Sequence, residues 1–319
     1  MAEKQVAFVA AGSIPPSPPP PSTTGAVGWL RENLFSGVFN SILTVLAIIL
    51  IVMMVPGMIQ WAFVDGVWIA SSLKECREIN SHGACWAVIV ERFDQFIYGF
   101  YPEDQRWRPN LAFILLLAAL VPALFDKVPY RGYGLIFSAC YPIIAYWLIW
   151  GGFGLEPVAS RDLGGFLLAT IIGVAGIVLS LPIGILLALG RRSGMIFIQT
   201  ICIFFIEFIR GVPLITLLFV ANSVLAYFFP PGSNLDLILR VVIMVTLFSS
   251  AYMAEVIRGG LAALPQGQYE AADSLGLNYW KSMRLIILPQ ALKISIPNIV
   301  SSFIGLFKDT TLVVIIGLL

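Results

Sequence analysis

Charge is what this sequence has least of. Asp, Glu, Lys and Arg make up 12% of its 319 residues, against about 25% in a soluble globular domain. So few charges cannot cover a water-facing surface of ordinary size, which excludes a soluble globular chain. Histidine is reduced to His82, read as a solvated loop residue, and no metal site is expected. The formal net charge of +1 leaves no excess to attract nucleic acid, so none is expected as a partner. No Gly-x-x-x-x-Gly-Lys-Ser/Thr loop occurs, so nucleotide cannot be held in the usual phosphate cradle, and the chain is expected to bind no cofactor of its own. No secretory leader is expected either. The first apolar block starts only near Ser36, lacks a small-residue cleavage site, and is expected to stay as an anchor.

What is present is apolar: 59% of residues are hydrophobic and the mean hydropathy is +0.90. The apolar residues form blocks long enough to cross a bilayer, and lipid demands that backbone groups be satisfied within each segment. The expected fold class is all-α, a polytopic transmembrane helical bundle. A β-barrel would instead show weak alternation of period two. Seven blocks are expected as spans: Ser36–Ile59, Asn110–Phe125, Gly132–Phe153, Leu163–Leu189, Gly211–Phe229, Leu237–Ile257 and Ile294–Leu319. An amphipathic approach, Met195–Ile206, precedes the fifth. With the amino terminus in the cytosol, the inner loops and tail carry eleven Lys and Arg residues and the outer loops six. That bias favours this orientation.

Residues 1–28, with Pro15-Pro16 and Pro18–Pro21, read as a disordered cytosolic tail, since such composition cannot bury a core. Residues 29–160 read as a membrane extension with three spans and one long outer loop, 60–109, with a short interfacial helix near Ala87–Phe100. Cys76 and Cys85 lie nine apart in this loop; a disulfide and a pair of free thiols both fit that placement. Residues 161–319 read as the core.

A polar island interrupts the last third of the chain. Pro265 fits a helix start. Tyr269, Ala272 and Leu275 recur at helical spacing as one apolar stripe. Gly276 is placed to end the helix, Asn278 to cap a second one running to Leu288, and Pro289 to limit its continuation. The first helix would offer Glu270 and Asp273 before a small-residue surface made by Ala271 and Ala272. From pattern alone, this cytosolic helix-turn-helix either lies on headgroups or docks on a soluble partner.

The spacing Glu270-Ala271-Ala272, Gly276, Ile286-x-Leu288-Pro289 resembles the "EAA" signature of permease subunits of ABC-type importers. The segments 205–213 and 250–260, and Lys308 to Leu312, are similar to the polar amino acid branch of that family. The spans before residue 160 look like the larger permease chain of general L-amino acid transporters. The resemblance implies that the loop is a coupling helix docked on an ATPase subunit, which holds ATP and Mg. It also implies a related second permease chain and a periplasmic substrate-binding protein as partners, with the lipid bilayer around them. Family members continue past the Lys-Asp-Thr segment into one more span, so the core is expected to lack its last helix or to be a fragment.

Two Glu-x-Ile-Arg-Gly pentads, Glu207–Gly211 and Glu255–Gly259, place Glu and Arg three apart on one helix face. Glu207, Arg210, Glu255 and Arg258 either snorkel to fix span depth or ring the inner mouth of a pathway. Lys308 and Asp309 stand inside the last apolar block, where ionisable groups are costly. They form a structural pair or, with Thr310 and Thr311 at a helix break, a substrate contact or gate. The leading function is therefore an importer permease that makes no covalent change to its substrate. An ion-coupled secondary transporter using Lys308-Asp309 is the alternative, and a membrane scaffold without a pathway is a third reading.

Overall fold

The structure is a computed structural model that describes residues 25–224, 227 and 236–317. The proline runs of the expected tail, most of the end of the expected fifth span, and the last two residues fall outside the described residues. The described chain divides into two compact units, one up to Glu91 and one from Arg92. This is not the division at residue 160 drawn from the sequence.

In the first unit, α1 (Gly25–Asn33) starts within the stretch expected to be tail, and α2 (Val38–Ile59) continues as a π-helical turn, Gln60–Val64. None of the α2 side chains is buried. The loop of residues 60–109 is folded. The Val67 amide donates to the Ala84 carbonyl (2.8 Å) and the Ala87 amide to that of Val67 (3.1 Å). The helix α3 (Leu73–Ile79), not foreseen from the sequence, starts at Ser72, whose hydroxyl accepts from the Glu75 amide. The Glu75 carboxylate in turn accepts from the Ser71 amide and hydroxyl, a reciprocal cap. Those two donors hold the Glu75 carboxyl below the usual carboxylate range. Cys76, buried on α3, is disulfide-bonded to Cys85 with 6.1 Å between Cα atoms, and Trp68 stacks on Trp86. The helix α4 (Ala87–Tyr98) falls where an interfacial helix was expected.

The second unit is a helical bundle. The α5 (Trp107–Leu124) and α6 (Arg131–Trp150) hairpin is pinned by Tyr141, whose hydroxyl donates to the Ala112 carbonyl (3.0 Å). It shares a core with α7 (Gly165–Arg191) and α10 (Leu237–Ala262) through Ala112, Ile149, Ile172 and Val241. That shared core is why the compact unit extends upstream of residue 160. Then come α8 (Ile196–Gly211), α9 (Leu214–Ser223), α11 (Gln266–Ser274), α12 (Tyr279–Ser282), and α13 (Leu288–Asp309) ending in a 3-10 turn, Thr310–Ile316.

Small residues let the central helices touch. A Cβ on Gly184 would sit 2.7 Å from the Met253 Cβ, and one on Gly260 would collide with the Ala291 carbonyl and the Ser295 hydroxyl. Such close backbone approach, rather than hydrophobicity, is what associates helices in lipid. Six helical stretches among the described residues are long and apolar enough to cross a membrane, and the bent pair α8–α9 makes a seventh candidate. The fold is an all-α polytopic bundle.

Two proline readings are corrected. The fifth block is not one straight span after an amphipathic approach. The approach itself is helical, and the chain turns by 103° between α8 and α9. Val212 is extended (φ −105, ψ 131) ahead of Pro213 (φ −59), as a residue before proline prefers. Pro289 does not end the second loop helix. A π-helical turn, Met283–Ile287, precedes it and α13 runs on. The wider turn re-registers carbonyls around a residue that has no amide to donate.

Candidate functional site

The polar island is a short helix, α11, held outside the bundle. Pro265 precedes its first turn in an extended conformation. It ends because the Gly276 amide bonds back to the Asp273 carbonyl (2.9 Å) and that of Leu277 to Ala272 (3.3 Å). Gly276 sits at φ +68, a left-handed conformation that any side chain would strain. Asn278 caps α12, its side chain accepting from the Lys281 amide (3.0 Å).

The helix phase sorts the signature residues. Ala272 is fully buried and Tyr269 half-buried, while Glu270, Ala271 and Asp273 are exposed. Ala272 was expected to face a partner. Instead it is the inner small residue that lets α11 lie close to its own chain, and Ala271 is the outer one. Leu275 was expected on the apolar stripe, but it is 73% exposed because it caps the helix rather than continuing it.

Three tethers fix α11. The Tyr269 hydroxyl donates to the Leu261 carbonyl at the end of α10 (3.2 Å). Arg192, just past α7, donates to that hydroxyl (3.1 Å) and its guanidinium lies 5.6 Å from the Tyr269 ring centre. The Gln290 amide on α13 donates to the Gln268 side chain (3.0 Å). Behind the helix is a polar pocket of about 330 Å³ lined by Arg192, Tyr269, Asp273, Tyr279 and Ser282.

The two pentads meet. Arg258 pairs with Glu255 at 2.9 Å on α10, and Arg210 with Glu207 at 4.0 Å on α8. Arg210 also reaches Glu255 at 3.6 Å and lies over the Tyr252 ring. Sequence reasoning missed the hub. Arg191, the last residue of α7, donates from one nitrogen to Glu207 (2.8 Å) and to Glu255 (2.7 Å). No local spacing could reveal it, because its partners lie 16 and 64 residues away. Three guanidiniums face two carboxylates, and Glu255 is only 15% exposed.

Lys308 and Asp309 lie elsewhere, at the end of α13. Among the described residues neither joins an ion pair, and they do not form one with each other. The Thr310 hydroxyl donates to the Phe307 carbonyl (2.7 Å) and that of Thr311 to Lys308 (2.9 Å), so both threonines satisfy carbonyls freed where the helix tightens. An apolar cavity of about 630 Å³ among α5, α6, α7 and α10 does not include these four residues.

A many-spanned helical bundle with a tethered polar helix at one end fits a membrane transport subunit. Residues 180–318 match the family described as "binding-protein-dependent transport system inner membrane component". The chain is 49% identical, over 98% of its own length and 86% of the relative's, to the glutamate/glutamine/aspartate/asparagine transport system permease protein BztC of Rhodobacter capsulatus. It is 50% identical, over 96% of its length and 83% of the relative's, to the inner membrane amino-acid ABC transporter permease protein YhdY of Escherichia coli. The glutamine ABC transporter permease GlnP of Bacillus subtilis, described as probable, is 35% identical over 48% of this chain and 69% of its own length. The chain belongs to the inner-membrane permease family of binding-protein-dependent ABC transporters. It is a multi-pass inner-membrane transport component rather than an enzyme. Membership implies ATPase and substrate-binding partners, and it gives no support to the ion-coupled alternative.

Proposed function

We propose that this chain is the membrane-spanning permease of an ATP-driven importer that takes up polar and general L-amino acids handed over by a periplasmic binding protein. The names of the two relatives that span nearly the whole chain support the substrate class. ATP and Mg belong to the partner ATPase, the chain holds no cofactor, and the second permease is a related chain. The amino terminus lies in the cytosol. Arg191, Arg192, Arg210, Arg258 and the α11 loop gather at one end of the bundle, and the excess of Lys and Arg makes that end the cytosolic one.

One observation carries the reading. The α11 helix turns Tyr269 and Ala272 inward and leaves Glu270 and Ala271 outward, with Asp273 solvent-exposed at the rim of the pocket behind it, so a tethered knob led by the Glu270 carboxylate faces away from its own bundle. It is the docking element for the ATPase. The cluster of Glu207, Arg210, Glu255 and Arg258 forms the charged inner mouth. Lys308, Asp309, Thr310 and Thr311 sit on the pathway, where Lys308 and Asp309 complement the carboxylate and ammonium of an amino acid. Ionisable groups at such depth are tolerated when they face protein or a water-filled cavity.

The test is co-expression with the cognate ATPase. Glu270→Arg should leave the chain in the membrane and release the ATPase, since losing such a contact costs about 2–5 kcal/mol, more than tenfold in Kd. Gly276→Asp, which strains the turn, should uncouple ATP hydrolysis from uptake. Full ATPase retention with normal ATP-driven uptake in both variants contradicts the reading.

A further inference from the structure

The carboxyl end of α7 carries two consecutive arginines that point to different machinery. Arg191 spans Glu207 on α8 and Glu255 on α10 at 2.8 and 2.7 Å. Arg192 lies over the ring of Tyr269 on α11 and donates to its hydroxyl at 3.1 Å. Consecutive Cα atoms are a fixed distance of about 3.8 Å apart. The Arg192 amide also bonds to the Leu189 carbonyl (3.1 Å), so the pair is locked to the helix end. The route from the docking helix through Arg192 and Arg191 to the charge cluster is therefore short. Tyr269 also donates to Leu261, which lies beyond Glu255 along α10.

We infer that Arg191 and Arg192 form a mechanical link by which displacement of α11 opens or re-pairs the Glu207–Glu255 cluster, so that movement of the docked ATPase is felt at the inner mouth. Both arginines are positioning residues. Arg192 follows the coupling helix through its tyrosine, and Arg191 holds two helices together through their carboxylates. A pull on Tyr269 that rotates the end of α7 must stretch at least one of the two bonds made by the single Arg191 nitrogen. The released carboxylate retains Arg258 or Arg210, so the cluster can change partners without leaving a bare charge. The inference rests on α11 being the ATPase-docking element.

The experiment uses the assembled transporter in proteoliposomes and reads amino acid taken up per ATP hydrolysed. Arg192→Ala and the milder Tyr269→Phe should keep the ATPase bound and hydrolysing but lower that ratio about fivefold or more. The double variant Arg191→Gln/Arg192→Ala should lose no more than the worse single variant, because both act in one chain of contacts. Three results overturn the link: a wild-type ratio in Arg192→Ala and Tyr269→Phe, loss of uptake only in parallel with loss of assembly, or multiplying losses in the double variant. Absence of ATP-driven uptake by the unaltered complex overturns the docking reading itself, which keeps the two failures distinct.

Discussion

The helices α2 and α10 are both apolar enough to cross a membrane, and α2 is the more apolar, yet its best membrane window is 0% buried in the protein while that of α10 is 50% buried. The difference lies in the side chains. Along α10 the buried face sets bulky Ile238, Met253, Ile257 and Leu261 among short Val241, Val245, Thr246, Ser249, Ser250, Ala251, Ala254 and Gly260, and the short groups let α7 and α13 come close. Along α2 the run from Ile48 to Val55 offers only bulky branched or flexible side chains, none of them buried. Lipid tails are as apolar as Leu, so hydropathy decides that a helix enters the bilayer and small residues decide what it packs against. The charge cluster and the α11 tether belong to the packed helix: Glu255, Arg258 and the Leu261 carbonyl all sit on α10.

Substitutions can widen or erase that contrast. The largest effect is expected at Glu255→Gln. Removing the mostly buried carboxylate among three guanidiniums leaves charges unpaired at a cost of about 3–5 kcal/mol, readable as a lowered melting transition of the purified complex. By contrast, Asp94→Asn, which breaks an ion pair with Arg106 whose aspartate is 60% exposed, should cost no more than about 1 kcal/mol. Equal effects would show that the cluster on α10 is not special.

Next comes a pair of glycines. Gly184→Leu must push into Met253 and the Ala254 backbone, a misfit of about 1–3 kcal/mol, whereas Gly57→Leu on α2 meets open space and should leave the transition unmoved. A matching loss at Gly57 would mean that α2 is packed after all.

The smallest effect belongs to the loop that carries α3. The Glu75 carboxyl is held low by Ser71, so its two bonds from Ser71 are at full strength above the ordinary carboxylate pKa and weaken as pH falls through the lowered one. Ser71→Ala should move the Glu75 titration upward in a carbon-13 NMR experiment. An unchanged titration would show that the bond from the Ser71 hydroxyl is not made.

Most of the membrane architecture is legible in the residues. Apolar blocks locate the six helical stretches among the described residues that can span, and the proline-to-glycine frame of α11 follows from Pro265 and Gly276. What escapes is direction and long-range pairing. The block through Pro213 is apolar on both sides, so hydropathy runs through a bend that only the backbone preferences of Val212 and Pro213 announce. Pro289 reads as a stop because a local rule does not foresee a π-helical turn. Ala271 and Ala272 are equal in sequence, and only the phase of α11 against its own bundle assigns one outward and one inward. Arg191 belongs to no motif, since its role exists only where three helix ends converge.

The central claim is that α11 touches a separate ATPase and moves with it. A single cysteine at Ala271, introduced in a chain with Cys140 and Cys202 replaced by serine, tests it most directly. Disulfide crosslinking to cysteines on the ATPase surface should capture that subunit and stop ATP-driven uptake until reductant is added. If the position 271 thiol reacts only with lipid-phase reagents while uptake continues, the account is contradicted.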